Sequence, residues 1–245
     1  MNVEESDMRL AARLASEAGA LLLALQRSGG FEGKALGVAG DAIANAFLVK
    51  ALRELRGEDG LLSEEEKDNA ERLLAKRVWI VDPLDGTREY GEGRNDWAVH
   101  VALAIDSVAV VGAVSLPGLG LTLGSDAPPL LLPPNQPLKM VVSRTRPANE
   151  AITVAKMLGA ELLPMGSAGA KAMAVVRGEA DIYLHSGGQY EWDNCAPVAV
   201  AQAAGLHCSR LDGSALLYNQ QDTSLPDILI CRKEIADQIL TFINS

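Results

Sequence analysis

The densest chemistry in the chain lies in the run Trp79-Ile80-Val81-Asp82-Pro83-Leu84-Asp85-Gly86-Thr87. An apolar, β-rich segment leads into Asp82, and Pro83 suits the second position of a type I turn. Asp82 and Asp85 would begin and end that turn, with their carboxylates converging on one side and the Leu84 carbonyl between them. Gly86 lets backbone approach a ligand closely. Thr87 falls at a helix start, where free N–H groups favour phosphate. Two carboxylates, a carbonyl and a hydroxyl are hard oxygen ligands, suited to Mg²⁺ rather than zinc. The plain alternative is an ordinary strand–turn–helix with solvated acids, and spacing alone does not choose between the two.

Other residues carry both a chemical and a bland reading. Ser63-Glu64-Glu65-Glu66 has the composition of a solvated face. Asp193, in Glu191-Trp192-Asp193, is placed to open an apolar helix, and Asp41 precedes another; a helix N-cap accounts for either. Trp192 reads as a core anchor fixing its neighbour. His100 lies within a β alternation and reads as structural. His185, at a strand end beside Ser186-Gly187-Gly188, is open between a loop residue and a substrate contact. Cys195 reads as packed in a helix rather than catalytic. The run Gly166-Ser167-Ala168-Gly169-Ala170-Lys171 fails the spacing of a GxxxxGK[ST] phosphate loop, and no GxSxG elbow occurs.

The elements that must position these groups follow from periodicity. Leu10, Leu14, Ala18, Leu21, Leu22 and Leu25 predict a helix over 6–27 with Ser6 as N-cap. A glycine-studded stretch, 28–40, precedes a second helical pattern opening at Asp41 and stopped by 57–60. Residues 78–82 form a strand ending at Pro83. Residues 97–105 and 108–116 form a β-hairpin about Asp106-Ser107, hence antiparallel sheet in the first half. Five of the eleven prolines fall in 128–137, which divides an α+β half (1–127) from an α/β half (137–245). Beyond that point strand and helix alternate: strands at 139–144, 161–165, 180–185 and 227–232, and helices over 148–158, 168–177, 193–204 and 233–243.

A chain of 245 residues fits one large domain or two intimate ones. Its 48% hydrophobic and 22% charged residues are ordinary globular usage. With 22 Lys and Arg against 32 Asp and Glu, the net charge of −10 disfavours polymeric nucleic acid and anionic membrane surfaces as partners. Three cysteines without CxxC spacing argue against a disulfide framework or structural zinc. The acidic start has no signal-peptide pattern, and the apolar runs are strand-sized, so a cytoplasmic protein is expected.

The motifs together carry a resemblance. DPLDGT after an apolar strand, an acidic SEE segment upstream, and a later WD opening a helix that ends in AAG resemble the inositol monophosphatase superfamily of Mg²⁺-dependent, lithium-sensitive phosphatases. The resemblance covers essentially the whole chain. VWIVDPLDGTRE, GSAGAKAMAV and QYEWD are most similar to actinobacterial members of its 3′-phosphoadenosine 5′-phosphate phosphatase branch. It implies a layered α/β/α/β/α sandwich and two or three Mg²⁺ ions. Glu64, Asp82, the Leu84 carbonyl, Asp85 and Asp193 would hold them, with Asp82 bridging and Glu65 supporting Glu64. Thr87 would orient the attacking water, and Asp41 would accept the proton of the Thr87 hydroxyl. Gly86, Thr87, Ser143, Arg146, Gly166, Ser167, Lys171 and His185 would meet the substrate, Lys171 and Arg146 holding a second phosphate. The chain departs from common family patterns at Val38-Ala39-Gly40-Asp41, at Ser143-Arg144-Thr145-Arg146 in place of SRSH, and at His185 in place of arginine. The implied activity is removal of the 3′-phosphate of 3′-phosphoadenosine 5′-phosphate in sulfur assimilation. Inositol 1-phosphate or fructose 1,6-bisphosphate hydrolysis is the alternative, and a non-catalytic metal- or nucleotide-binding regulator is the alternative of another class. The implied partner is a small phosphate substrate, with a homodimer allowed.

Overall fold

A computed structural model describes residues 5–245. The elements in chain order are α1 (Asp7–Ser28), α2 (Gly33–Leu55), β1 (Gly60–Ser63), β2 (Arg77–Asp85), α3 (Thr87–Gly91), β3 (Ala98–Ile105), β4 (Val108–Leu116) and β5 (Leu121–Gly124). They continue with β6 (Lys139–Ser143), α4 (Asn149–Leu158), β7 (Glu161–Met165), α5 (Ala168–Val176), β8 (Ile182–Tyr190), α6 (Glu191–Ala203), β9 (His207–Ser209), β10 (Ser224–Cys231) and α7 (Lys233–Ile243). The first sheet has the order β1-β2-β3-β4-β5, the second β7-β6-β8-β10-β9. β1 pairs β2 in parallel and the rest of the first sheet is antiparallel. In the second sheet β6 lies parallel to β7 and β8, while β10 runs antiparallel to β8 and β9.

The period-2 alternation of the strands sorts side chains into three cores. Trp79, Val81, Val99, Val101 and Leu103 face α1 and α2, where they meet Leu10, Leu14, Leu48 and Leu52. The opposite face, with Val78, Ile80, Ala98 and Ala102, packs on Met173 of α5 and Cys195 and Val198 of α6. Those two helices also cover Val141, Tyr183, Ile228 and Ile230 of the second sheet. Met140, Val142, Ile182 and Leu229 point outward against Val154 of α4 and Ile239 of α7. The order is therefore helix, sheet, helix, sheet, helix, the layering implied by the resemblance. The hairpin turns on Asp106 and Ser107, both at positive φ, as a two-residue type I′ loop requires.

Three expectations are corrected. First, α2 begins at Gly33 rather than Asp41, and Asp41 is an interior helical residue, not an N-cap. The glycines of this stretch permit close packing instead of breaking the helix: a Cβ at Gly37 would stand 2.6 Å from Thr87 Cγ2, and one at Gly40 2.9 Å from the Tyr90 ring. This longer α2 is also long and apolar enough to cross a membrane by length and composition, against the strand-sized runs expected. In the fold its apolar side packs on α1 and the first sheet. Second, no turn ends β2 at Pro83. The strand runs on to Asp85 through a bulge: Asp82 faces His100 and Asp85 faces Ala98, so three steps on β2 match two on β3. Third, β8 continues through Gly187-Gly188 to Tyr190, again with an irregularity, so His185 lies within the strand, opposite Ile228. The helix after it starts at Glu191, two residues earlier than expected.

The proline-rich segment joining the sheets is clasped from below. Asp181, fully buried, accepts from Arg232 Nε at 2.8 Å, Asn135 N at 3.1 Å, Asn135 Nδ2 at 3.0 Å and Lys139 N at 3.0 Å. Arg232, also buried, donates onward to the Leu132 carbonyl at 2.6 Å.

Candidate metal centre and adjoining anion cavity

The β2 bulge is what makes an acidic site. Residues three apart on a regular strand point to opposite faces. One extra residue re-aims the chain, so Asp82 and Asp85 share a side; bulges commonly do this beside active sites. Pro83 is tolerated there because a bulge leaves a residue unpaired. Gly86, at φ 91°, then turns the chain into α3. Asp193 arrives from the other direction, at the third position of α6, where its Oδ2 accepts the Tyr190 N–H at 2.6 Å. One carboxylate oxygen from each of Asp82, Asp85 and Asp193 lies within 4.8 Å of the others.

The three acids are not equivalent. Asp82 is 1% exposed and accepts the Leu84 N–H at 3.0 Å. Burial, then the charges of Glu64, Asp85 and Asp193, push its carboxyl well above the usual range. Burial would also raise Asp85, but His100, Ser167 and Lys171 outweigh it and hold the group at about 2. Asp85 Oδ2 accepts from Ser167 Oγ at 2.5 Å and Gly169 N at 2.6 Å, and Oδ1 from Ala168 N at 3.1 Å. A first-sheet aspartate is thus anchored to the start of a helix between the sheets. Burial and the Asp85 charge push Asp193 up to about 6, with the Tyr190 N–H, His100 and Lys171 opposing.

Glu64 follows β1 and approaches Asp82. It is open to solvent on one side, yet desolvation and the charges of Asp193, Asp85 and Glu65 raise its carboxyl to about 7. Glu65 beside it is exposed. The acidic loop is held by α2: Ser63 Oγ donates to Asn45 Oδ1 at 2.8 Å, and Asn45 Nδ2 to Glu66 Oε1 at 3.0 Å. One turn before Asn45, Asp41 faces the same site. Burial, then Glu65 and Glu64, raise it to about 7, against the Thr87 hydroxyl. Asp41 Oδ1 is buried without a hydrogen-bond partner among the described residues. The Leu84 carbonyl is not free, since Thr87 Oγ1 donates to it at 3.1 Å; one lone pair remains.

Crowded carboxylates and an orphaned buried oxygen fit divalent cations bound through hard oxygen donors. Without a cation, the repulsion among the acids is relieved only by protonation, which is the physical content of the raised values.

Beside the acids lies a cavity of about 590 Å³ lined by Arg88, Glu89, Ser143, Arg144, Thr145, Arg146, Gly166, Ser167 and Lys171. The structure therefore places Ser143, Arg146, Gly166, Ser167 and Lys171, which the resemblance implied as substrate contacts, along one cavity. Lys171 is 5% exposed; its Nζ donates to the carbonyls of Gly166 at 3.2 Å and Ser167 at 2.5 Å and stands 5.4 Å from the Tyr183 ring centre. Ser143 Oγ accepts the Arg146 N–H at 3.2 Å. His185 is outside the lining; burial, then Lys171 and Arg146, lower its pKa.

Sequence reasoning missed several contributors. His100, fully buried, places Nδ1 3.0 Å from the Trp192 carbonyl and Nε2 3.2 Å from Asp85 Oδ2, linking the two strongest motifs. Burial would lower its pKa, but Asp85 reverses the sign and the net shift is upward. The available signal was a lone polar residue on the small-residue face of β3. Arg88, Glu89 and Arg144 gave none beyond adjacency to motifs. Trp192 is only partly buried, stacked on Tyr190 with centroids 4.8 Å apart. Cys195 is buried, as expected.

An acidic oxygen-donor centre beside a cationic cavity, set between two sheets of a five-layer fold, defines the class of site. The inositol monophosphatase family model matches residues 8–241, and the chain belongs to that family. The 3′-phosphoadenosine 5′-phosphate phosphatase of Mycobacterium leprae (strain TN) is 48% identical over 260 aligned positions, spanning 98% of this chain and 94% of that one. That of Mycobacterium tuberculosis (strain CDC 1551 / Oshkosh) is 48% identical, spanning 91% and 88%. Among solved structures, CysQ from Bacteroides thetaiotaomicron, a bacterial member of the inositol monophosphatase family, superposes with a TM-score of 0.77 at 25% identity, covering 91% of this chain and 96% of that one.

Proposed function

We propose that this chain is a Mg²⁺-dependent phosphatase that converts 3′-phosphoadenosine 5′-phosphate to AMP and phosphate, in sulfur assimilation in the cytoplasm. One observation carries the reading: Ser167 belongs to both parts of the site. Its hydroxyl contacts Asp85 in the acidic centre, and the same residue lines the cationic cavity. A substrate with a reacting phosphate at the acids and a second phosphate in the cavity fits that adjacency, and the mycobacterial relatives carry the matching name.

Asp82, Asp85, Asp193, Glu64 and the Leu84 carbonyl would hold the ions, with Asp82 shared and Glu65 supporting Glu64. The chemistry such ions supply when bound is Lewis acidity, for activating water and for charge on the leaving oxygen. Thr87 orients the water, and Asp41, its carboxyl raised to about 7, accepts the proton of the Thr87 hydroxyl. Ser143 and Gly166 would border the substrate from the cavity wall, Gly86 and His185 from beyond that lining, and Arg146 and Lys171 would attract its second phosphate. The halves 1–127 and 137–245 each contribute, so closing the site requires both. The negative chain can take a polyanion because bound cations reverse the local sign.

Phosphate release from 3′-phosphoadenosine 5′-phosphate, inositol 1-phosphate and fructose 1,6-bisphosphate, at equal concentration with Mg²⁺, tests the reading. The nucleotide should show the highest kcat/KM, and Li⁺ should inhibit. Preference for either other substrate would replace the assignment.

The acids also predict a pH-dependent response to metal. Asp41 and Glu64, at about 7, and Asp193, at about 6, bind protons more tightly folded than unfolded. Their contribution to metal-free stability is present below about pH 4 and is lost as pH rises towards about 7. Asp85, depressed to about 2, acts oppositely, but its gain is complete by about pH 4. Metal-free protein should thus melt lower at about pH 7.5 than at about pH 5, and Mg²⁺ should raise Tm more at the higher pH. Melts with EDTA or Mg²⁺ at both values check this; a Tm indifferent to Mg²⁺ at both would count against metal binding by these residues.

A further inference from the structure

The cavity contains three arginines and a lysine, and the structure separates those already committed from those free to bind. Arg144, at the end of β6, donates to Glu89 Oε1 at 2.6 Å and to Glu92 Oε2 at 2.7 Å. Lys171 gives two of its three donors to the carbonyls of Gly166 and Ser167, so it adds charge to the cavity without a free donor fork. Arg88 has a natural partner in Glu92, four residues on at the C-cap of the same helix. That acid is claimed from across the cavity by Arg144. Among the described residues neither Arg88 nor Arg146 makes a salt bridge, while Glu89, the one acid in the lining, is paired. In a chain of net charge −10, two guanidiniums without partners in one concave site are a specific arrangement.

We propose that Arg88 is a specificity-determining residue that, together with Arg146, clamps the non-reacting phosphate of the substrate, and that Arg144 keeps Arg88 free by neutralising Glu89 and Glu92. Arg88 follows Thr87 directly, so one short helix carries both the residue at the reacting phosphate and a jaw of the clamp. Two guanidiniums on different elements can bind phosphate by forked hydrogen bonds from two sides, which one lysine cannot do. The assignment rests on the reading of the substrate as carrying two phosphates.

The test compares wild type, Arg88→Ala and Arg88→Gln on 3′-phosphoadenosine 5′-phosphate and on 3′-AMP, which lacks the second phosphate. Calorimetric titration with 5′-AMP is run alongside. The side chain is exposed, so both variants should melt as wild type does. The expected result is a loss of about 10- to 100-fold in kcat/KM on the bisphosphate, at least tenfold more than on 3′-AMP, with 5′-AMP bound at least about tenfold more weakly. Equal losses on the two substrates would place Arg88 at the reacting phosphate; no loss on either would make it a solvated residue. Both outcomes overturn the clamp. If wild type itself shows no preference for the bisphosphate, the substrate reading fails, and the 5′-AMP titration decides the clamp by itself: weakened binding upholds it and unchanged binding overturns it.

Discussion

Asp82→Asn is expected to lower kcat by about a thousandfold or more while leaving the metal-free protein at least as stable as wild type. The substitution conserves shape and the oxygen that accepts the Leu84 N–H. What it removes is charge, at the acid that three others crowd. In the metal-free state that charge is a burden, so its loss relieves repulsion and should hold or raise Tm. In the working enzyme the same charge is required, because a neutral amide oxygen is a weaker ligand for a divalent cation. Activity and stability should therefore move in opposite directions, which ordinary damage to a buried residue does not produce. Initial rates across a Mg²⁺ series and melts in EDTA measure both. An active Asp82→Asn enzyme at ordinary Mg²⁺ would remove Asp82 from the metal centre.

Asp181→Ala is expected to destabilise the protein by about 3–5 kcal/mol, because it leaves a buried guanidinium without its counter-charge. Arg232 loses its carboxylate partner, and the N–H groups of Asn135 and Lys139 lose their acceptor at the same time. For a chain of this size the fall in Tm is about 10 °C. Replacing both partners, as Asp181→Leu with Arg232→Met, should recover the share of the loss that comes from the unpaired guanidinium, since removing a buried pair costs far less than breaking one, while the N–H groups of Asn135 and Lys139 stay without their acceptor. Thermal melts of the single and double variants decide the matter; a single variant within about 1 kcal/mol of wild type would show the clasp to be dispensable. This clasp also explains why a proline-rich segment, read from sequence only as a divider, is held at both Leu132 and Asn135.

Local pattern carried much of the architecture. The β3–β4 hairpin, in which β3 alternates Val99, Val101 and Leu103 against Ala98, Ala102 and Ala104, was legible because strand period and turn chemistry are properties of neighbouring residues. The alternating elements after residue 137 and the helix over 233–243 were legible for the same reason. The acids of the site were legible as residue types. What sequence could not decide were outcomes set by contacts between distant segments. Gly37 and Gly40 read as helix breakers until α3 is packed against them. Asp82 and Asp85 read as the ends of a turn, although pairing with β3 makes the same residues a bulge. Whether Lys171 or Arg88 keeps a free cation depends on carbonyls and acids brought in by the fold, and so does the partnership of His100 with Asp85. The sequence by itself determined which groups can bind metal and phosphate, because chemistry belongs to the side chain. Only the tertiary structure decided which of them are buried, paired or free, because desolvation and charge neutralisation depend on what the rest of the chain places within a few ångströms.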